Sequence, residues 1–386
     1  MLPELKYFPV NWVDGMKISE AHFDHLQNFV ADNLRDTAAS RITNFNYGLL
    51  PPAPGERTSL DLSVSTDQAK LIRVKVLSCR AITPGGARIE ILRDEENKNF
   101  ILSQLEDKFE LDDSGEKSLD IVVFVNPFNR VPVGQPDPQE SPLRHPFSMP
   151  DFKIEILPTS QINHLKPGAF QITVARLDVN AGVIQLNEQY IPPSTSLLSS
   201  KQLMDEFLKL GTILGETGSH ATSIVQKVKS EKQKTDLAIN ISYLAEKIIF
   251  FLADKIAHYR WVVSQQPPIY MIETFVSFAY YFKSATDCQT EKDREQMFTY
   301  FQQWTELTPA QFNNTLNALI EIEYNHQNIA AAIHEINNFM NLILKLFKQM
   351  SKLKYIGDQP DSGVVIGETI EPKKIDKKPG WSFLTD

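Results

Sequence analysis

Between residues 59 and 191 apolar and polar positions alternate with a period of two. Leu60, Leu62 and Val64 alternate with polar neighbours, as do Ile72, Val74 and Val76. The same alternation returns in Ile89 and Ile91 after a Pro84-Gly85-Gly86 turn, in Phe152, Ile154 and Ile156, and in Phe170, Ile172 and Val174. Leu119 to Val125 is nearly continuous apolar sequence, the pattern of a central strand. Short strands separated by Pro/Gly turns, with no helical period between them, predict an antiparallel β domain, a sandwich or barrel. Seven prolines, at positions 127, 132, 136, 138, 142, 146 and 150, interrupt it. Such density removes ladder donors and predicts an arm over 126–150 in place of a strand.

After Tyr190-Ile191-Pro192-Pro193 the period changes to helical. Leu203, Phe207, Leu210 and Leu214 form one stripe, and Leu237, Ile241, Leu244, Ile248 and Phe251 another. A further apolar helix is expected from Ile269 to Phe282, beyond the Pro267-Pro268 break. Thr308-Pro309 then opens a last helix, with Thr as cap and Pro in the first turn. Phe312, Leu319, Ile322, Ile329, Ile333, Ile336, Met340, Ile343, Phe347 and Met350 fall on one heptad seam there, interrupted by Thr315 and His326. Ile329, Ile333 and Ile336 at successive core positions favour three or four helices over two. The seam serves either an oligomer or a bundle within one chain, or both, and a buried His326 would set its register. The chain thus divides into 1–191, an N-terminal helix plus β domain; 192–355, a helical bundle; and 356–386, a Gly/Pro/Lys/Asp-rich tail expected to be disordered. Trp381 and Phe383 on that tail read as a short docking motif.

Ahead of the strands, Trp12-Val13-Asp14-Gly15-Met16 leads into a helix with Ser19 as N-cap and Glu20 suited to its dipole. Phe23, Leu26, Val30 and Leu34 give that helix one apolar face. The segment reads as a docking element made of an aromatic anchor, a turn and a helix.

Composition narrows the function. The 386 residues suffice for two or three domains, and 42% hydrophobic with 23% charged residues is ordinary for globular protein. A net charge of −9 and a pI near 5.5 argue against nucleic acid as a partner. Cys79 and Cys288 are the only cysteines, which excludes a disulfide framework and a thiolate zinc site. No signal peptide or membrane-spanning run is evident, so a cytoplasmic location is expected. His22 and His25 share a helix side but lack further ligands, so no metal is expected. Gly211, Gly215 and Gly218 lack the Lys-Ser/Thr of a phosphate loop, and no Gly-x-Ser-x-Gly elbow occurs. No catalytic constellation is present, and neither a cofactor nor a small-molecule substrate is expected.

Several short motifs, in order, resemble one family. Trp12, Gly15, Met16, His22 and Phe23 match the opening of TssK, the baseplate subunit of bacterial type VI secretion systems, with Ala21 where the family has Gln. Tyr190, Pro192 and Pro193 match its Ile-Pro-Pro junction, and Tyr324-Asn325-His326 matches a Tyr-x-His near its last bundle helix. Pro268-Ile269-Tyr270 also resembles a family helix start. The resemblance implies an α+β multidomain fold: an antiparallel β-sandwich-like shoulder domain, an α-helical bundle neck and a tail. It implies a homotrimeric structural adaptor linking TssF and TssG to the membrane complex at the cytoplasmic face of the inner membrane. Ile329, Ile333, Ile336, Met340 and Ile343 would form the oligomer seam. Family members usually continue into a folded C-terminal head, whereas about thirty low-complexity residues follow here. Trp381 and Phe383 are therefore expected to replace the head's contact with the membrane complex. The alternative expectation is a phage or phage-tail-like receptor-binding protein.

Overall fold

The computed structural model of the chain describes residues 3–66, 71–91, 105–110, 116–162, 166–180 and 183–357. It falls into two compact units. The first comprises Met1–Met204, Val263–Tyr270 and Tyr324–Ala331; the second comprises Asp205–Val262, Met271–Glu323 and the chain from Ala332 onward.

The first unit opens with α1 (Glu20–Ala39) and then lays down nine strands. These are β1 (Gly48–Leu49), β2 (Leu60–Thr66), β3 (Leu71–Ile82), β4 (Arg88–Ile91), β5 (Leu105–Glu110), β6 (Ser118–Val133), β7 (Phe147–Pro158), β8 (Gln171–Asn180) and β9 (Val183–Leu186). β3 is the spine of one antiparallel sheet and pairs with β1, β2, β4 and β5. The other sheet runs β7-β6-β8-β9, also antiparallel. Alternate residues of both sheets meet in one core: Ile72, Val74 and Val76 with Ile121, Val123, Ile154, Ile156, Ile172 and Val174. The period-two pattern therefore located both inner faces. Asp107 on β5 ties the sheets at an edge, accepting from the Ile156 N–H of β7 at 2.9 Å.

The proline-rich stretch corrects one expectation. Pro127 and Pro132 lie within β6 and Pro150 within β7, so only the tip, 134–146, is loop. β6 pairs with β8 only as far as Phe124, and beyond that point it continues as a two-stranded ribbon with β7. One side of each ribbon strand needs no donor, and the register shift between Asn126 and Arg130 takes up Pro127.

The helices are α2 (Lys201–Ser230), α3 (Asp236–Trp261), α4 (Pro268–Asp287), α5 (Glu291–Thr305), α6 (Pro309–Ile320) and α7 (Ile329–Met350). The largest fully buried side chains of the second unit are phenylalanines, set among Leu, Ile, Ala and Met. The Phe282 ring lies 5.8 Å from those of Phe312, tilted, and Phe339, edge-on, and Phe251 stands 5.4 Å from Phe278. Gly211 and Gly218 let α2 approach α3: an added Cβ would lie 3.2 Å from the Tyr259 ring and 2.7 Å from Leu252. Their role is close packing.

The single seam-bearing last helix is also corrected. The chain forms two helices, α6 and α7, with a loop at 321–328. Asn325 breaks the pattern with an Asx turn, its Oδ1 accepting from the Gln327 N–H at 2.9 Å. The heptad spacing across the break is a coincidence of phase.

Candidate interaction surfaces

The N-terminal stretch is held at its turn and at its far end. Gly15 takes φ +78°, the left-handed conformation that favours glycine. Ser19 caps α1 together with His22, whose Nδ1 lies 3.1 Å from the Ser19 N–H and 2.9 Å from its hydroxyl. The Trp12 ring stands 5.9 Å from that of His22, and Tyr7 packs on His25 at 5.7 Å. Both histidines are thus occupied with local contacts. Among the described residues no cluster of His, Cys, Asp or Glu could hold a metal ion.

α1 does not use the face expected of it. Asp32, Arg35 and Ala39 are buried, whereas Phe23 is 52% exposed, Val30 47% and Leu34 68%. Asp32 Oδ2 accepts from the N–H groups of Lys6 and Tyr7, and its Oδ1 accepts from Arg35 at 2.6 Å. Burial works against the Asp32 charge, but these donors outweigh it and hold the carboxyl below its usual range. Gly86, at φ +81°, lets α1 settle on the Gly85-Gly86 turn, since a Cβ there would lie 2.3 Å from the Arg35 carbonyl oxygen. A buried ion pair anchors the helix, so its apolar stripe stays on the surface. Phe23, Val30 and Leu34 thus form an exposed apolar stripe, and Trp12, 46% exposed, packs on His22 in the first turn of the same helix.

The Ile-Pro-Pro and Tyr-x-His motifs come together. Leu49 donates its N–H to the Pro193 carbonyl at 2.7 Å, and Thr195 returns its own N–H to Leu49 at 2.9 Å. Gly48 makes this possible at φ +114°, where a Cβ would lie 2.0 Å from the Pro193 oxygen. One residue earlier, the Tyr47 carbonyl lies 2.8 Å from His326 Nε2. A carbonyl can only accept, so Nε2 carries the proton and Nδ1 accepts from the Tyr324 hydroxyl at 2.5 Å. Gln327 Nε2 donates to the Tyr47 hydroxyl at 2.8 Å. Burial pushes the His326 imidazole down to about 4, although the bond to the Tyr47 carbonyl pulls the other way. Tyr190 is buried beside Arg176, whose guanidinium lies 4.8 Å from its ring, and burial raises its phenol. Arg176 pairs in turn with the buried Asp120 at 2.7 Å. Pro192, Leu49 and Tyr190 also line an open cleft of about 740 Å³.

This locus is structural in character. His326, Tyr324, Tyr47 and the Gln327 Nε2 are hydrogen-bonded to one another, and the imidazole is fixed in one neutral form. Sequence reasoning put His326 on a helical seam; the structure puts it in the loop before α7. The partner segment Tyr47-Gly48-Leu49 carried only one signal, a glycine flanked by apolar residues.

Ile329, Ile333, Ile336, Met340 and Ile343 are all buried within the single chain, none more than 5% exposed. Trp381 and Phe383 lie outside the described residues. Among the described residues no helix is long and apolar enough to cross a membrane.

No protein-family model and no curated protein matches the sequence. Solved structures of TssK do match. A crystal structure of TssK superposes with a TM-score of 0.52 at 13% identity, covering 88% of this chain and 72% of that one. TssK from the EAEC type VI secretion system, in complex with nanobody nb18, gives 0.48 at 14% identity over 84% of this chain and 99% of that one. A chain of the TssK-TssF-TssG baseplate subcomplex gives 0.43 at 15% identity over 90% and 100%. The protein has the TssK fold.

Proposed function

We propose that this chain is a structural, non-catalytic adaptor of a type VI secretion baseplate. The observation that carries the reading is the meeting of two of its family-like motifs, Ile-Pro-Pro and Tyr-x-His, at one place in a TssK fold. Pro193 lies on Gly48-Leu49 and His326 on Tyr47, so residues scattered in sequence serve one joint. By analogy with TssK its partners are TssF and TssG, and the exposed stripe with Trp12 and Phe23 is the docking face. Several such units around a baseplate would gain avidity from modest contacts.

The working form is a homotrimer. The isoleucine seam is consumed inside each chain, so the trimer contact falls to side chains left on the surface. Ile239, Phe250 and Trp261 recur every eleven residues on α3, three turns apart and therefore on one face, at 51%, 65% and 67% exposure. A light-scattering mass of three times 43.9 kDa supports this; a monomer at micromolar concentration contradicts it. Trp381 and Phe383 are assigned to the membrane complex. Ending the chain at Gly357 is expected to abolish pull-down of that complex and leave the trimer intact, and an unchanged pull-down refutes the assignment.

A further inference from the structure

One end of the second unit is basic in a chain whose net charge is −9. Two stretches distant in sequence form it: the end of α2 with the turn into α3, 227–236, and the end of α7 with the residues after it, 348–357. Lys227 clasps them together, donating its Nζ to the carbonyls of Ser351 and, at 2.6 Å, Leu353. Gln233 Oε1 accepts from the Ile356 N–H at 2.9 Å. His220 Nδ1 lies 2.9 Å from the Ser351 hydroxyl. Burial, joined by the charges of Lys348 and Lys352, keeps that imidazole below its ordinary range despite Glu216.

Lys227 is accounted for by the carbonyls it caps, and Lys229 by Glu246 at 2.8 Å. Lys348, in the last turn of α7, also favours the helix dipole. Lys232, Lys234, Lys352 and Lys354 lie beyond the helix ends. All five of these remaining lysines are exposed, and none is in an ion pair among the described residues. Glu231 and Asp236 are the exposed acids within the two stretches, so positive charge prevails. Tyr355, 42% exposed, stands at the edge of the patch under Lys354.

We infer that this end of the helical unit binds an anionic lipid surface. Charge complementarity selects an anionic partner, and the residue types select which kind. Every cation is lysine, a hydrated point charge on a long flexible stem. The planar fork of arginine, which recognises individual carboxylates and phosphates, is absent from both stretches. Lysines clustered this way suit a diffuse field such as headgroups provide, and an exposed tyrosine suits the interface beside them. The secretion reading is not needed for this inference, because the charge pattern stands without it.

The test is sedimentation of the full chain with vesicles of phosphatidylglycerol and phosphatidylcholine in equal parts, against phosphatidylcholine alone. Binding to the anionic vesicles only, weakening as salt is raised, is expected. Each lysine near an anionic surface contributes on the order of fivefold, so Lys232→Gln, Lys352→Gln and Lys354→Gln together should lower partitioning about a hundredfold. Replacing Lys17, Lys209 and Lys292, exposed lysines elsewhere, should change it little. Equal binding by both triple variants, or none by the native chain, overturns the inference. Capture by soluble polyglutamate without vesicle binding overturns it too, and assigns the patch to an acidic polypeptide.

Discussion

His326 donates from Nε2 to the Tyr47 carbonyl across a separation of 279 residues, at 2.8 Å. The bond joins the loop before α7 to the segment entering β1, and burial of the ring, with Nδ1 accepting from the Tyr324 hydroxyl, keeps the imidazole neutral. Its folded pKa, about 4, lies below the ordinary histidine value of 6.5. The neutral form is thus favoured by folding, and its stabilisation is complete above pH 6.5. It is lost as pH falls toward 4, because the unfolded chain takes up a proton that the folded chain refuses. The loss by pH 4 is on the order of 3 kcal/mol. Melting temperatures of the native chain and of His326→Gln, followed from pH 7 to 4, are expected to converge as pH falls. Parallel curves contradict the buried neutral imidazole.

Gly48→Ala should damage the same joint from the other side. The new Cβ would overlap the Pro193 carbonyl, and φ +114° strains any L side chain. A loss of at least about 3 kcal/mol is expected in denaturant unfolding, compared with about 1–2 kcal/mol for Gly55→Ala, which meets the backbone strain without the clash. Gly55 also has positive φ, at +91°, but nothing lies near its Cβ and it sits in an exposed turn.

Asp32→Asn leaves Arg35 buried with Asp36, 4.0 Å away, as its one carboxylate neighbour among the described residues. Breaking a buried pair from one side costs about 3 kcal/mol or more, whereas removing both charges costs less. Asp32→Leu combined with Arg35→Met should therefore be more stable than Asp32→Asn. Thermal unfolding of the two variants decides this, and the reverse order would mean the pair is not what anchors α1.

Phe250→Asp places a charge on the exposed stripe of α3 without touching the core. The light-scattering mass is expected to fall from three chains to one while the circular dichroism spectrum stays the same. Ile336→Ala, inside the bundle, should lower stability by about 2–5 kcal/mol and leave the folded protein's mass unchanged. A trimer that survives Phe250→Asp removes α3 from the interface.

Much of this architecture was written in periodicity. Leu60 to Val64, Ile72 to Val76 and Ile172 to Val174 marked strands because their apolar residues alternate toward one core, although Thr173 between Ile172 and Val174 is buried too. β1, two residues long, carries no period at all; tertiary pairing with Pro193 and β3 defines it. Prolines 127, 132 and 150 misdirected the reading of β6 and β7, because composition does not tell which side of a strand is left unpaired. The α1 stripe of Phe23, Val30 and Leu34 was visible, but its direction was not. A buried Asp32-Arg35 pair on the opposite face outweighed it through bonds to Lys6, Tyr7 and Gly85 that no local pattern encodes. The lysine end was hidden for a related reason: neither 227–236 nor 348–357 is strongly basic alone, and folding adds them together.

Co-purification with baseplate partners separates an adaptor from a protein that merely shares its fold. The full chain, co-expressed with the TssF and TssG of the same secretion system, is expected to retain both on an affinity column, with its own copies present in multiples of three. Trp12→Ala with Phe23→Ala should release both partners while shifting the melting temperature little, since these two rings are about half exposed. Retention of neither partner by the native chain would contradict the adaptor account and leave only a shared fold.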